Sequence, residues 1–336
     1  LRIIYGNKNE QKDITEIVER ITWSGDIGQV SRMLEITIPS SSDHFFPKIN
    51  FGLGVIEVLQ MLDDSGQEVF WGYIFNQSKD SQSKTLVAYD PLVYLTKSKL
   101  AKNYKNLTAE DITRSVCNHL GVIPGNIVPT RINQNLLALQ QTGYETIMMA
   151  YTNASKQNGK KYMPRINKGK LDVIEKGTIV AKKELDSRED IMSSQYSESI
   201  ENMINQIVIT DDKGNVINYS SNTEWIKNYG LLQEIYQKED EKDPNIVAKN
   251  MLNDIEREAS VEVLGYMDCI AGNAVKIRDS STGLVGLFYI DNDTHTFENG
   301  QHTMSLGLNF KNIMDEMEAQ EEEKEETTEV DDEYEE

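Results

Sequence analysis

The chain has 336 residues, 38% hydrophobic and 26% charged, with a formal charge of −21 at pH 7. That length suffices for two or three compact domains, and no apolar run approaches the ~18 residues of a membrane span. Residues 315–336 hold 14 acids against one lysine, so this stretch carries −13 and the rest of the chain −8. Without a basic excess to neutralise phosphates, neither an anionic membrane nor specific nucleic acid binding is expected.

The start, Leu1 to Tyr5, turns polar by Asn7 and offers no signal-peptide core, so a product made in the cytoplasm is expected. Leu34, Ile36 and Ile38 alternate with Met33, Glu35 and Thr37, the period of a half-buried strand. Val55–Leu62 and Glu68–Phe75 flank the turn Asp63-Asp64-Ser65-Gly66 and predict a hairpin, with Lys84–Tyr89 as the next strand. A meander without a crossover helix favours a small antiparallel barrel or sandwich. Asp90-Pro91 opens a short helix. Thr108 to Asp111 caps a second, with Ile112, Val116 and Leu120 inward and Gly121 as its stop. Thr142 and Glu145 open a third, with Tyr144, Ile147, Met148 and Tyr151 on one face.

Short strands are expected at Lys161–Pro164, Leu171–Glu175 and Thr178–Ala181, completing an α/β unit. Ile204–Thr210 and Asn215–Tyr219 read as strands around Asp211 to Gly214. A helix capped at Asp243-Pro244 follows, with Val247, Met251, Leu252 and Ile255 as its buried residues. Strands then recur at Val261–Leu264, Ala274–Ile277, Leu284–Asp291 and Thr303–Phe310, with turns at Gly272-Asn273, Ser280–Gly283 and Asn299-Gly300. The expected fold class is α+β, mainly β: a small antiparallel barrel or sandwich, an intervening α/β unit, a second β unit with linking helices and an acidic tail. The expected boundaries are 1–95, 96–190, 191–312 and 313–336.

Chemistry-bearing motifs are sparse. Gly52-Leu53-Gly54 lacks the third glycine of a dinucleotide fingerprint, and no Walker sequence or Gly-x-Ser-x-Gly occurs. Cys117 and Cys269 stand far apart in apolar segments and read as buried, reduced thiols. One cluster, Asp291 to His295 followed by Glu298 and His302, merits weighing. A two-residue turn at Asn299-Gly300 sets Phe297 opposite His302, so His295 and His302 lie diagonally on one sheet face. Two histidines fall short of the three or four ligands of a zinc site, so a structural role is preferred and a metal-dependent hydrolase is the alternative. Phe70, Trp71, Tyr73 and Phe75 within one strand could form a sugar platform, hence a cell-surface-binding module. Apolar groups on both faces favour a strand covered twice. No catalytic residue, cofactor or bound metal is expected.

Trp23-Ser24-Gly25 with Arg32 to Glu35, Val69 to Gly72, Tyr89 to Ser98, Thr108 to Ile112, Tyr229-Gly230, Val263-Leu264-Gly265, and His295-Thr296 through His302 to Met304 follow one another in a specific order. In that order and spacing the chain resembles the baseplate hub proteins of PBSX-like phages, contractile tails and bacteriocins. More distantly it resembles late-control D proteins and the base of type VI secretion spikes. The resemblance implies that the two β units are small antiparallel β-barrels with some strands exchanged between them, and that the chain forms a homotrimer whose six barrels imitate the six-fold tail tube, acting as a symmetry adaptor. It also implies tube or tube-initiator proteins above, a central spike below, and the tape-measure and other baseplate proteins nearby, all in a virion or phage-like tail particle.

Overall fold

The computed structural model describes residues 1–28, 31–40, 49–239 and 243–318. Strands make up 51% of the protein and helices 17%, in keeping with a mainly β chain. The N-terminal unit holds β1 (Arg2–Gly6), β2 (Gln11–Asp13), β3 (Arg20–Asp26), β4 (Met33–Pro39), β5 (Gly54–Leu62), β6 (Glu68–Lys79) and β7 (Ser83–Tyr89). In β4 the alternation holds, with Leu34, Ile36 and Ile38 buried. The β5–β6 hairpin forms because Asp63 Oδ1 accepts the backbone N–H groups of Ser65 and Gln67, while Gly66 takes φ +80°. Gly72 lets β6 lie close on β7: a Cβ there would stand 2.4 Å from the Tyr89 carbonyl oxygen.

The middle unit follows, with α1 (Leu92–Lys97), β8 (Lys99–Thr108), α2 (Ala109–Leu120), β9 (Pro124–Ile127), β10 (Asn133–Thr142), α3 (Gly143–Asn158), β11 (Tyr162–Asn167) and β12 (Lys170–Glu175). Each predicted helix start is present. Asp90 Oδ1 accepts the Leu92 N–H, Thr108 Oγ1 accepts the Asp111 N–H, and Thr142 with Glu145 forms a reciprocal capping box. Gly121 and Gly159 end α2 and α3 in the left-handed conformation. The β8–β10 ribbon was not foreseen. Only Leu100 and Tyr104 of β8 are buried, and bulges interrupt the pairing, so no period of two survives in the sequence. Thr178–Ala181 is not a strand: it makes a single bridge, Val180 to Ala274.

Next come β13 (Leu185–Asp186) and β14 (Ile191–Ser199), then a small unit of β15 (Gln206–Thr210), β16 (Val216–Ser221), α4 (Thr223–Tyr229), β17 (Gln233–Gln237) and α5 (Pro244–Asn250). The last strands are β18 (Glu256–Leu264), β19 (Ala274–Asp279), β20 (Leu284–Glu298) and β21 (Gln301–Asn309). Ala248 is the fully buried residue of α5, while Val247, Met251 and Leu252 pack only partly against the small core.

The large sheet runs β14-β18-β21-β20-β3-β4-β7-β6-β5-β1-β2, with β13 and β19 attached beside β20. The strands of the two β units join in one 13-stranded sheet, and no closed barrel is seen among the described residues. The reason is the length of β20: it pairs with β19 over Leu284–Tyr289, with β3 over Asn292–Glu298, and with β21 along its other flank. Four apolar clusters lie beneath these elements, one in the N-terminal unit, one in the middle unit, one under β18–β21 and a small one under α5. Leu92 and Leu95, expected in the first domain, pack in the middle cluster.

The acidic tail does not begin as a free appendage. Met314 is buried in the middle core, Tyr144 of α3 donates to Asp315, and Lys161, just before β11, pairs with Glu316. Residues 319–336 lie outside the described residues.

Gly72→Ala should cost roughly 1–3 kcal/mol by overpacking the β6–β7 contact, measured as a lower urea midpoint with the slope unchanged.

Candidate functional site

β3 and β20 come from opposite ends of the chain and meet in register, with Gly25 opposite Asp293 and Trp23 opposite His295. Because side chains alternate, Trp23, Asp293 and His295 all point inward, and all are buried. Arg32 reaches this face across Gly25. A Cβ on Gly25 would lie 2.3 Å from Arg32 Nη1, so the glycine provides the channel for the guanidinium.

Arg32 grips Asp293 with two parallel bonds, Nη1 to Oδ1 at 2.9 Å and Nη2 to Oδ2 at 2.5 Å. Asp293 Oδ1 also accepts the Ala271 N–H at 2.6 Å, and the guanidinium carbon sits 4.0 Å above the Trp23 ring. The backbone of Arg32 is held by a second carboxylate: its N–H donates to Asp90 Oδ2, while Asp90 Oδ1 accepts from Ser31 and Leu92. Burial pushes the Asp90 carboxyl up to about 7 against these donors. Asp90 therefore links the Arg32 backbone to the first turn of α1. One further ion pair attaches the middle unit to β20, with Lys176, 1% exposed, donating to Asp291 at 2.7 Å.

The two candidate ligands do come together. His295 Nε2 faces the Cys269 carbonyl at 3.1 Å, and its Nδ1 stands 3.0 Å from His302 Nε2. A carbonyl only accepts, so His295 carries its proton on Nε2, and His302 donates to the bare Nδ1. His302 stacks on Phe297 at 4.0 Å, and its ring occupies space that a Cβ on Gly265 would fill. The nitrogens facing each other are thus engaged in a bond between β20 and β21. Among the described residues no group of three or more His, Cys, Asp or Glu side chains is placed to hold a metal.

Cys117 and Cys269 are buried free thiols, both pushed up to about 12 by burial, which leaves no nucleophilic thiolate at neutral pH. In β6, Phe70 and Ile74 enter the core, while Trp71 and Tyr73 stack edge to face and Tyr73 meets Tyr94 of α1 at 5.4 Å. One side of the aromatic strand is core, and the second is partly covered by the chain's own helix, leaving Trp71 and Tyr73 half-buried and Phe75 exposed.

The histidine pair was visible in the sequence through its turn. The ion pair was missed, although it left a signal: Arg32 has the parity of Leu34, Ile36 and Ile38, and a charge at an inward strand position calls for a buried partner.

The segments that converge here, Trp23 to Gly25, Arg32, Gly265, His295 and His302, are those on which the family resemblance rests. A family model described as YQBQ-like matches residues 21–309. The chain belongs to the YqbQ-like family. Among similar proteins, the phage-like element PBSX protein XkdQ of Bacillus subtilis strain 168 is 24% identical over 312 residues, covering 89% of this chain and 94% of XkdQ. The fold matches the 43 kDa tail protein of prophage MuSo2 from Shewanella oneidensis with a TM-score of 0.67 at 13% identity, over 92% of this chain and 98% of that one. It also matches an Escherichia coli type VI secretion component, described as similar to T4 tail proteins gp27 and gp5, with a TM-score of 0.53 at 9% identity, over 87% and 73%. This YqbQ-like chain therefore shares its fold with phage tail and secretion-system proteins.

Replacing Asp293 by Ala should destabilise the protein by about 3–5 kcal/mol, because it strands a buried guanidinium; chemical unfolding measures this. Burial pushes both imidazoles down from 6.5 to about 4. Below pH 6.5 the unfolded histidines take up protons that the folded pair refuses until about pH 4. Their contribution is therefore complete above pH 6.5, falls across that interval and is gone below it. In His302→Gln the loss of stability between pH 7 and pH 4 should shrink by up to ~3 kcal/mol, read as the difference in urea midpoints from the parent.

Proposed function

We propose that this YqbQ-like chain is a structural protein of a phage-type tail baseplate, and within it the central hub. Three copies assemble about the tail axis, with residues 1–95 and 191–312 of each forming tube-like barrels and residues 96–190 and 313–336 lying outside them. The six barrels present a quasi-six-fold ring to tube or tube-initiator proteins, and the trimer presents three-fold symmetry to the spike. The tape-measure protein and other baseplate proteins are the remaining partners, and the site of action is the virion or phage-like tail particle.

The observation that carries this reading is the sharing of β20 between the two β units. An adaptor works only if its two ring-forming bodies keep a fixed relative orientation, because a heterologous contact closes a ring at one angle and spirals at others. A strand common to both, locked by the buried Arg32–Asp293 pair, supplies that rigidity. Family membership and the fold shared with tail proteins support the same conclusion. The role is non-enzymatic: the histidines hold strands together, and the thiols are buried.

Light scattering on the purified chain tests the trimer. Three copies of 38.2 kDa give about 115 kDa. A strict monomer across the accessible concentration range would count against a self-assembling hub.

A further inference from the structure

The small sheet stands apart from the large one, with β15 central, β16 antiparallel on one side and β17 parallel on the other. α5 covers one face, where Ala248 meets Ile207, Ile209 and Tyr236. On the opposite face the register places Tyr219, Val208 and Ile235 in one row across the three strands. Tyr219 is 56% exposed and Ile235 61%, and Val216, Ile217 and Leu231 are each more than half exposed. Taking ~150–250 Å² for a large side chain, these five expose on the order of 500 Å².

Both outer strands also leave their backbones open. The sequence of β16, Val-Ile-Asn-Tyr-Ser-Ser, carries no charge and no proline to discourage pairing. On β17 the Ile235 N–H is met only by the side chain of its neighbour Glu234. Among the described residues nothing pairs with the outer backbone of either strand.

We infer that this sheet is an interface between copies of the chain, with β16 of one copy adding to β17 of the next. β16 runs against β15 and β17 runs with it, so a second copy in the same orientation brings β16 and β17 together antiparallel, the more stable ladder. The addition also lays Tyr219 beside Ile235 of the next copy and continues the apolar row without a break. The exposed apolar area, on the order of 500 Å², is below the ~800 Å² per partner of a standard interface, and the two strand edges add main-chain hydrogen bonds to it. A head-to-tail contact leaves no bare edge only when it closes on itself, so this inference rests on the three-fold reading above.

The test is cross-linking of the full-length double variant Tyr219→Cys, Ile235→Cys with a short bismaleimide, analysed beside light scattering of the same sample. A ladder of linked dimers and trimers that requires both cysteines is the expected result, since Cys117 and Cys269 are buried. A trimer by mass with no ladder overturns this interface and leaves the hub reading standing; a monomer by mass overturns both. Tyr219→Lys, checked for folding by circular dichroism, should raise the concentration for half-assembly at least about tenfold. An unchanged value would also overturn the proposal.

Discussion

The ion pair between Arg32 and Asp293 is the contact on which the arrangement of the chain depends. Asp293 sits on an inward-facing strand position and Arg32 just before β4, and each is satisfied only when the N-terminal unit lies against β20. A slip of one residue in that pairing would turn Asp293 to the outer face and leave the guanidinium buried alone. The nearby Asp291, at the bulge in β20, reads a different part of the protein by accepting Lys176 from the end of the middle unit. Two carboxylates of one strand thus fix the positions of two other units. Buried pairs of this kind are weak as a source of stability and strong as a source of register.

Local features were legible in the sequence wherever one residue type dictates one backbone event. The caps at Thr108 and Thr142, the left-handed stops at Gly121 and Gly159, and the Asp63 turn all stood where their side-chain chemistry required. The diagonal placement of His295 and His302 followed from the length of the Asn299-Gly300 turn. What stayed hidden was non-local. The pairing of β3 with β20 leaves no short-range trace, and the β8–β10 ribbon, bulged and mostly solvated, lacks the alternation that marks a strand. The start of the acidic tail was obscured by its composition, because Met314 and Met317 sit among carboxylates that partner Lys156, Lys161 and Tyr144.

Residue types usually associated with catalysis or ligand binding are absorbed here by packing. Histidines bond to one another, thiols are apolar filler, and the aromatic strand is partly roofed by Tyr94. One stretch of apolar surface left open is on the small sheet, at Val216, Ile217, Tyr219 and Ile235, where the core beneath is a cluster of four buried side chains. A unit with so little interior gains most by covering its outer face.

The shared strand also dictates an order of folding. Arg32 and Asp293 are 261 residues apart, so a chain leaving the ribosome finishes β3 and β4 long before β20 exists. Throughout that interval the edge of β3 is bare and the guanidinium lacks its counter-ion. The N-terminal unit therefore waits, incomplete, while the intervening residues are made, and this window exposes the growing chain most to mispairing with a second nascent copy.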